Sequence, residues 1–263
     1  MELNININRE GTPRMTPKEL SDSLCQIESL ERKPVAITFI QRLADIPEGV
    51  KRFGSDAPEG EAKSMLCAMW GDAFYGAGPF YTVKSQQLCG GGAMGAGFGS
   101  TMPIEMAEKF MIGDNKIFGT MDALKNALKA TLPFEDGEFE AQLISPLEKM
   151  NDDALSPDLV FIICKPAQGQ RILRAYGFDT GELIRGVAGS STCEMISSFV
   201  YKTNEPTFTL GDVGGNAGLP LNDDEVLVVF PYRKLEQAVK NLNRICRVSS
   251  MYKHTLYHEK GES

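Results

Sequence analysis

The chain lays out nearly the same plan twice. In the first half a run rich in β-branched residues, Pro34-Val35-Ala36-Ile37-Thr38-Phe39-Ile40, reads as a buried strand opened by proline. After a polar loop over 47–62 comes an apolar helix from about Ser64 to Tyr75, a break at Gly76-Ala77-Gly78-Pro79 and a strand, Phe80–Val83. In the second half Leu159–Ile163 is a buried strand and Gln168 to Tyr176 is helical. Cys193 to Tyr201 then reads as one helix, Asn204-Glu205-Pro206 as a break and Thr207–Leu210 as a strand. Pro79-Phe80-Tyr81-Thr82-Val83 pairs without gaps with Pro206-Thr207-Phe208-Thr209-Leu210, and Gly91-Gly92-Ala93-Met94-Gly95 with Gly214-Gly215-Asn216-Ala217-Gly218.

Each unit is expected to end in a strand and an amphipathic helix. These are Lys116–Phe118 with a helix capped by Thr120, and Glu225–Phe230 with a helix carrying Leu235, Val239, Leu242 and Ile245. A plan repeated in order points to an internal duplication. The expected fold is α+β, with two similar α/β halves over about 33–133 and 157–245. Mixed sheets with flanking helices would enclose a central crevice, in one domain ending in a tail over 246–263. Outside the repeat, Thr16-Pro17-Lys18-Glu19 has the N-cap, N1 proline and N3 glutamate of a capped helix.

A pseudo-two-fold would bring Cys67 and Cys193 to equivalent places. Cys89 has a thiol where the second turn reads Asp212-Val213-Gly214, so the expected site is asymmetric. Cys67 opens the run Met65-Leu66-Cys67-Ala68-Met69-Trp70, and Cys193 follows Gly189-Ser190-Ser191-Thr192, which reads as a helix start. Thiols near helix N-termini ionise more readily, and the thiolate is the form that binds metal or attacks. Three such thiols would hold a 4Fe–4S cluster with one open iron, or zinc as the runner-up with water in the fourth position. No Cys-x-x-Cys is present, so such a site would be assembled by the tertiary fold. Thiol chemistry without metal and plain packing are the other readings of Cys67, Cys89 and Cys193. Packing suits Cys25, Cys164 and Cys246.

Gly90, Gly91 and Gly92 read as a loop whose backbone N–H groups approach a cluster, a sulfur atom or an anion. Gly90-x-Gly92-x-x-Gly95 also has the form of a dinucleotide fingerprint, but the strand lies several residues early and Met102-Pro103 interrupts any following helix. Acid–base candidates near the cysteines are Asp72, Tyr75, Tyr81 and Glu194, with Arg185 as an anion holder. The histidines are His254 and His258, four apart near the C-terminus, which read as a solvated tail. Their position argues against a Ser-His-Asp or Cys-His mechanism. Trp70, Phe74, Met65 and Met69 read as core.

A net charge of -8 argues against nucleic-acid partners and anionic membrane surfaces. No apolar run is long enough to span a bilayer, and Met1–Asn8 lacks a signal-peptide layout. The expectation is a cytoplasmic protein whose six cysteines are not a disulfide framework.

The chain resembles the DUF169 family of uncharacterised prokaryotic proteins, common in archaea and anaerobic bacteria. The resemblance rests on Leu66-Cys67-Ala68, Cys89-Gly90-Gly91-Gly92-Ala93 with Gly95 and Gly97, and Ser145-Pro146-Leu147. It continues through Pro157-Asp158-Leu159-Val160, Lys165-Pro166-Ala167-Gln168, Thr192-Cys193-Glu194, Asp224-Glu225 and Pro231-Tyr232. The family usually reads Cys-Pro-Gly-Gly where this chain has Cys89-Gly90-Gly91-Gly92, and Asn-Pro-Ala-Gln where it has Lys165-Pro166-Ala167-Gln168. The resemblance brings a fold and the cysteines but no activity. The functional expectation is a metal or iron–sulfur protein with an open position, acting in redox, sulfur-transfer or elimination chemistry on a small anionic substrate. The alternative is a small-molecule binder or cofactor carrier with structural cysteines.

Overall fold

The structure is a computed structural model, and it describes residues 14–55, 65–86, 88–99, 103–151, 155–189 and 192–245. Calls on Ser64, Met102, Ser190, Ser191, Cys246, His254, His258 and the two termini therefore lie outside the described residues.

The first half opens with helix α1 (Pro17–Glu28) and strands β1 (Val35–Ile40) and β2 (Lys51–Arg52), then α2 (Leu66–Phe74), β3 (Phe80–Val83) and α3 (Gly90–Gly95). It continues through α4 (Ile104–Glu108), a π-helical stretch (Lys109–Asp114), α5 (Met121–Ala130) and β4 (Ala141–Pro146). The second half runs β5 (Leu159–Cys164), α6 (Pro166–Tyr176), α7 (Thr192–Ile196), α8 (Ser198–Thr203), β6 (Thr207–Thr209), α9 (Val213–Gly218), β7 (Val226–Pro231) and α10 (Tyr232–Leu242).

The protein is α+β. The strands form one seven-stranded mixed sheet, in the order β2-β3-β4-β1-β5-β7-β6, rather than separate sheets. Only the β2–β3 pair is parallel. The sheet is matched about its central seam, where β1 and β5 run antiparallel with Val35 opposite Phe161, Ala36 opposite Val160 and Ile37 opposite Leu159. Outward from the seam, β4 then β3 on one side answer β7 then β6 on the other. Val35 opposes Pro146 as Leu159 opposes Pro231. Just past those prolines, the Leu147 N–H donates to the Pro34 carbonyl and the Tyr232 N–H to the Asp158 carbonyl, both at 2.8 Å. Lys116–Phe118, expected as the strand that ends the first unit, forms no strand.

β1, β5 and β7 are buried on both faces, which explains their near-continuous apolar sequences. Alternate residues face opposite layers. Val35, Ile37, Leu159, Phe161, Leu227 and Val229 pack with α2, α3, α7 and α8, including Trp70 and Ile196. Ala36, Val160, Ile162, Cys164, Val228 and Phe230 pack under α1, α6 and α10. Trp70 is fully buried edge-on to Phe161, and its indole N–H donates to the buried Gln142 Oε1 at 3.0 Å. That bond satisfies a polar atom that would otherwise be costly inside the core.

On the opposite layer α1 is capped as its sequence requires. Thr16 and Glu19 bond each other's backbone N–H, and Pro17 takes the first turn. Gln168 closes two ends at once: its Oε1 accepts the Lys165 N–H at 2.7 Å, and its Nε2 donates to the Glu28 carbonyl at 2.7 Å. This binds the start of α6 to the end of α1, so the Lys165-Pro166-Ala167-Gln168 segment is part of the scaffold.

Candidate functional site

Four short or glycine-bearing helices on the Trp70 side bring Cys67, Cys89 and Cys193 together. Cys67 lies in the first turn of α2, Cys89 is the N-cap of α3, and Cys193 lies in the first turn of α7. α9 packs on α2, and α3 packs on α7. The glycines that read as loops are helical. Gly90, Gly91 and Gly92 form the first turn of α3, and Gly214–Gly218 falls within α9. Glycine is a poor helix former, and here the lack of a side chain is what the packing uses. A Cβ on Gly95 would stand 2.9 Å from the Cys193 carbonyl carbon and Cβ, and one on Gly218 2.5 Å from Cys67 Sγ. Met65 supplies no side-chain cap to α2, and the predicted helix from Cys193 breaks at Ser197, dividing into α7 and α8.

The Cys67 and Cys193 thiols share a hydrogen bond, and neither cysteine is in a disulfide. That bond draws Cys67 below the ordinary thiol range against the opposing effect of burial, with help from the backbone N–H groups of Ala68 and Cys67 itself. The same bond, followed by burial and the neighbouring negative charge, holds Cys193 well above it. Cys89 is exposed, yet the protein packed around its inner side raises its thiol, while the Gly92 and Leu66 N–H groups pull the other way. Cys67 and Glu194 both act on it electrostatically.

Glu194 is buried beside the thiols, and a Cβ on Gly91 would lie 3.3 Å from its Oε1. Burial first, and then the Asp212 charge, pushes its carboxyl up to about 8, so it holds a proton at neutral pH. Asp212 caps α9, accepting the Gly215 N–H, and its Oδ2 also accepts the Thr192 N–H at 2.9 Å. Its charge reaches Cys67. In the sequence Cys89 has no counterpart in the second turn, and Asp212 is not singled out. The signal that finds it is the Asp-x-x-Gly spacing of a side-chain N-cap.

The other candidates are elsewhere. Asp72, Tyr75 and Arg185 are exposed, and Tyr81 is a half-buried strand residue. Cys25 is half-buried on α1, and Cys164 is sealed at the end of β5, where burial first and nearby carboxylates second push its thiol up to about 12. A cavity of about 590 Å³ lies between α6 and β6, and one of about 370 Å³ lies by Asp158 and Tyr201; cysteines line neither.

The site was tested for metal. Its sulfurs are soft donors surrounded by backbone N–H groups, which suits a thiophilic centre. Among the described residues, however, no three Cys, His, Asp or Glu side chains stand ready around one point.

The fold and site thus define an α+β protein with a tertiary-assembled cysteine cluster at converging helix starts. The chain belongs to the DUF169 family, described as uncharacterised ArCR, whose model matches residues 23–241. It is also similar to an uncharacterised protein, MJ0308, of Methanocaldococcus jannaschii, with 24% identity over 233 residues covering 88% of this chain and 95% of that one. No solved structure matches the chain significantly. Among the described residues no helix is long and apolar enough to cross a membrane.

Proposed function

We propose that this protein binds a thiophilic metal centre through Cys67, Cys89 and Cys193, a 4Fe–4S cluster in the first place and zinc in the second. The observation that carries this reading is the convergence of three thiols from three helices, Cys67 acting on the ionisation of both others and Cys89 on that of Cys193. A cluster held by three thiolates would supply an iron with an exchangeable position, suited to redox, sulfur-transfer or elimination chemistry on a small anionic molecule. Cys67, Cys89 and Cys193 would hold such a centre, with Cys67 the thiol of the buried pair drawn below the ordinary range. Backbone N–H groups of Leu66 and Gly92 point at Cys89 and support negative charge there. Glu194 holds a proton beside the thiols, within the apolar packing that keeps water out.

The second reading is a small-molecule binder with structural cysteines. The cavity of about 590 Å³ favours it, being lined by Leu173, Phe178, Ile184, Phe208, Val226 and Val228. One preparation separates the two. The chain is purified without oxygen, and iron, zinc and acid-labile sulfide are measured. The cluster reading expects about four iron and four sulfide per chain, lost in Cys67→Ser, Cys89→Ser and Cys193→Ser but kept in Cys25→Ser. Equal metal in all four variants would sink it, and a folded, colourless, metal-free protein favours the binder.

A further inference from the structure

We propose that the cavity of about 370 Å³ between the start of β5, α8 and the start of α10 binds a small zwitterion, by its chemistry an α-amino acid. Its carboxylate would lie at the start of α10 beside Arg233, and its ammonium group on Asp158. No cysteine lines this cavity, so the proposal stands apart from the metal-binding reading.

The walls are polar and carry both signs of charge. Asp158 lines the cavity and is fixed by three bonds. Its N–H donates to the Ile37 carbonyl at 2.9 Å, its carbonyl accepts the Tyr232 N–H at 2.8 Å, and its Oδ2 accepts the Phe39 N–H at 2.7 Å. Its Oδ1 has no partner among the described residues. Tyr201, on α8, is held edge-on by Phe39 and Phe134 with ring centroids 5.1 and 5.4 Å away, and the Asp158 charge reaches its hydroxyl. Ser156 adds a buried hydroxyl with no hydrogen-bond partner among the described residues. A buried polar atom left in that state is uncommon and calls for a partner. On the other wall α10 starts from Pro231 without a side-chain cap. The Tyr232 N–H is taken by Asp158. The next N–H groups of this 11-residue helix carry the positive end of its dipole. Lys234 is held by Glu205 at 2.8 Å. Exposed Arg233 is in no ion pair among the described residues, though its charge reaches Asp158. It is the cation left for a ligand.

These groups suit a ligand with two opposite ends. A purely anionic molecule at the helix start would meet the Asp158 carboxylate, and a purely cationic one would meet Arg233 and the helix dipole. A molecule with both a carboxylate and an ammonium group satisfies the two walls together. The carboxylate accepts from Arg233 and the first-turn N–H groups of α10. The ammonium group donates to Asp158 Oδ1, and the Ser156 and Tyr201 hydroxyls serve either end. Burial is the largest effect on the Asp158 carboxyl and pushes it up to about 6, against the Phe39 N–H and the Arg233 charge. An ammonium partner relieves that desolvation. The volume suits a small molecule rather than a folded partner.

The probes are the protein-forming L-amino acids, added singly at millimolar concentration to the full-length chain at about pH 8, where Asp158 is ionised. At least one should raise the melting temperature. For that amino acid, calorimetry should show binding about tenfold weaker in Arg233→Gln and in Asp158→Asn. It should be unchanged in Arg185→Gln, since Arg185 is exposed and does not line the cavity. A second probe, the same molecule with a hydroxyl in place of its ammonium group, separates recognition from structure. Wild type should bind this hydroxy acid about tenfold more weakly than the amino acid. Asp158→Asn, whose amide oxygen still accepts the Phe39 N–H, should bind the two alike. A melting temperature unmoved by every amino acid, wild-type affinity in Arg233→Gln, or the full preference kept in Asp158→Asn overturns the proposal. If Asp158→Asn does not fold, Arg233→Gln, at an exposed position, decides.

Discussion

The sheet's two covered faces are built from different kinds of helix, and the cysteines divide between them. On one face α1, α6 and α10 are long amphipathic helices, with one buried ion pair between α1 and α6 and another between the segments that precede β1 and β7. Arg171 reaches Glu28 at 2.6 Å and Arg32 reaches Glu225 at 2.7 Å, with both carboxylate side chains almost wholly buried. Cys164 lies under this layer as an inert apolar group. On the other face the helices near the thiols are short, and glycines let backbone and sulfur meet without side chains between them. The first face is held by area and paired charge. The second gives up helix propensity to gain close approach, an exchange that a layer serving only stability has no need to make.

The largest effect expected to test this division is on the scaffold face. Arg171→Met leaves the Glu28 charge without its guanidinium and should cost about 3 kcal/mol in urea unfolding, with metal content per folded chain unchanged. Metal lost along with stability would show that the faces are not separable. Next comes Gly218→Ala, whose added methyl has no room beside Cys67 Sγ and the Ala68 N–H. It should cost about 2 kcal/mol and abolish metal binding. Gly169→Ala on the scaffold face meets only side-chain atoms, at 3.1 Å or more, and gains helix propensity, so it should stay within about 1 kcal/mol of wild type. Equal costs at the two glycines would break the comparison.

A smaller effect concerns reactivity. Iodoacetamide at pH 9 should modify the exposed Cys89 first in the native apoprotein, while Cys164 stays unmodified until unfolding; peptide mass spectrometry reads the order. Early loss of Cys164 would mean that the scaffold face opens as easily as the other. The smallest effect is at the seam between the halves. Burial pushes the Asp158 carboxyl from 3.8 up to about 6, even though its Oδ2 accepts the Phe39 N–H at 2.7 Å. The folded chain keeps a proton there that the unfolded chain has released, so this group's contribution falls as pH rises from about 4 to about 6. Asp158→Asn should flatten that part of the profile of Tm against pH. An identical slope in the variant would assign the pH dependence elsewhere.

Much of the scaffold face could be read in advance, because its signals are local. The Thr16–Glu19 capping box and the apolar run of β1 define their elements within a few residues. β4 was harder. Ala141–Pro146 contains Gln142 and Ser145, buried where the Trp70 indole N–H donates to the Gln142 Oε1 and the Ser145 hydroxyl donates to the Pro146 carbonyl. The glycine segments misled for a related reason: local propensity argues for a loop, and only the facing helices explain why a helix there must lack side chains.

The contact between Cys67 and Cys193 has a consequence for the unfolded chain. The two residues are more than a hundred positions apart in the sequence. Any group that holds both, a metal centre or a sulfur–sulfur bond, would close a loop of that length in the denatured ensemble. Closing a loop of this size removes entropy equivalent to about 4–5 kcal/mol. The occupant of this site would therefore set the chain's resistance to heat, and the melting temperature would report which occupant the cell has supplied.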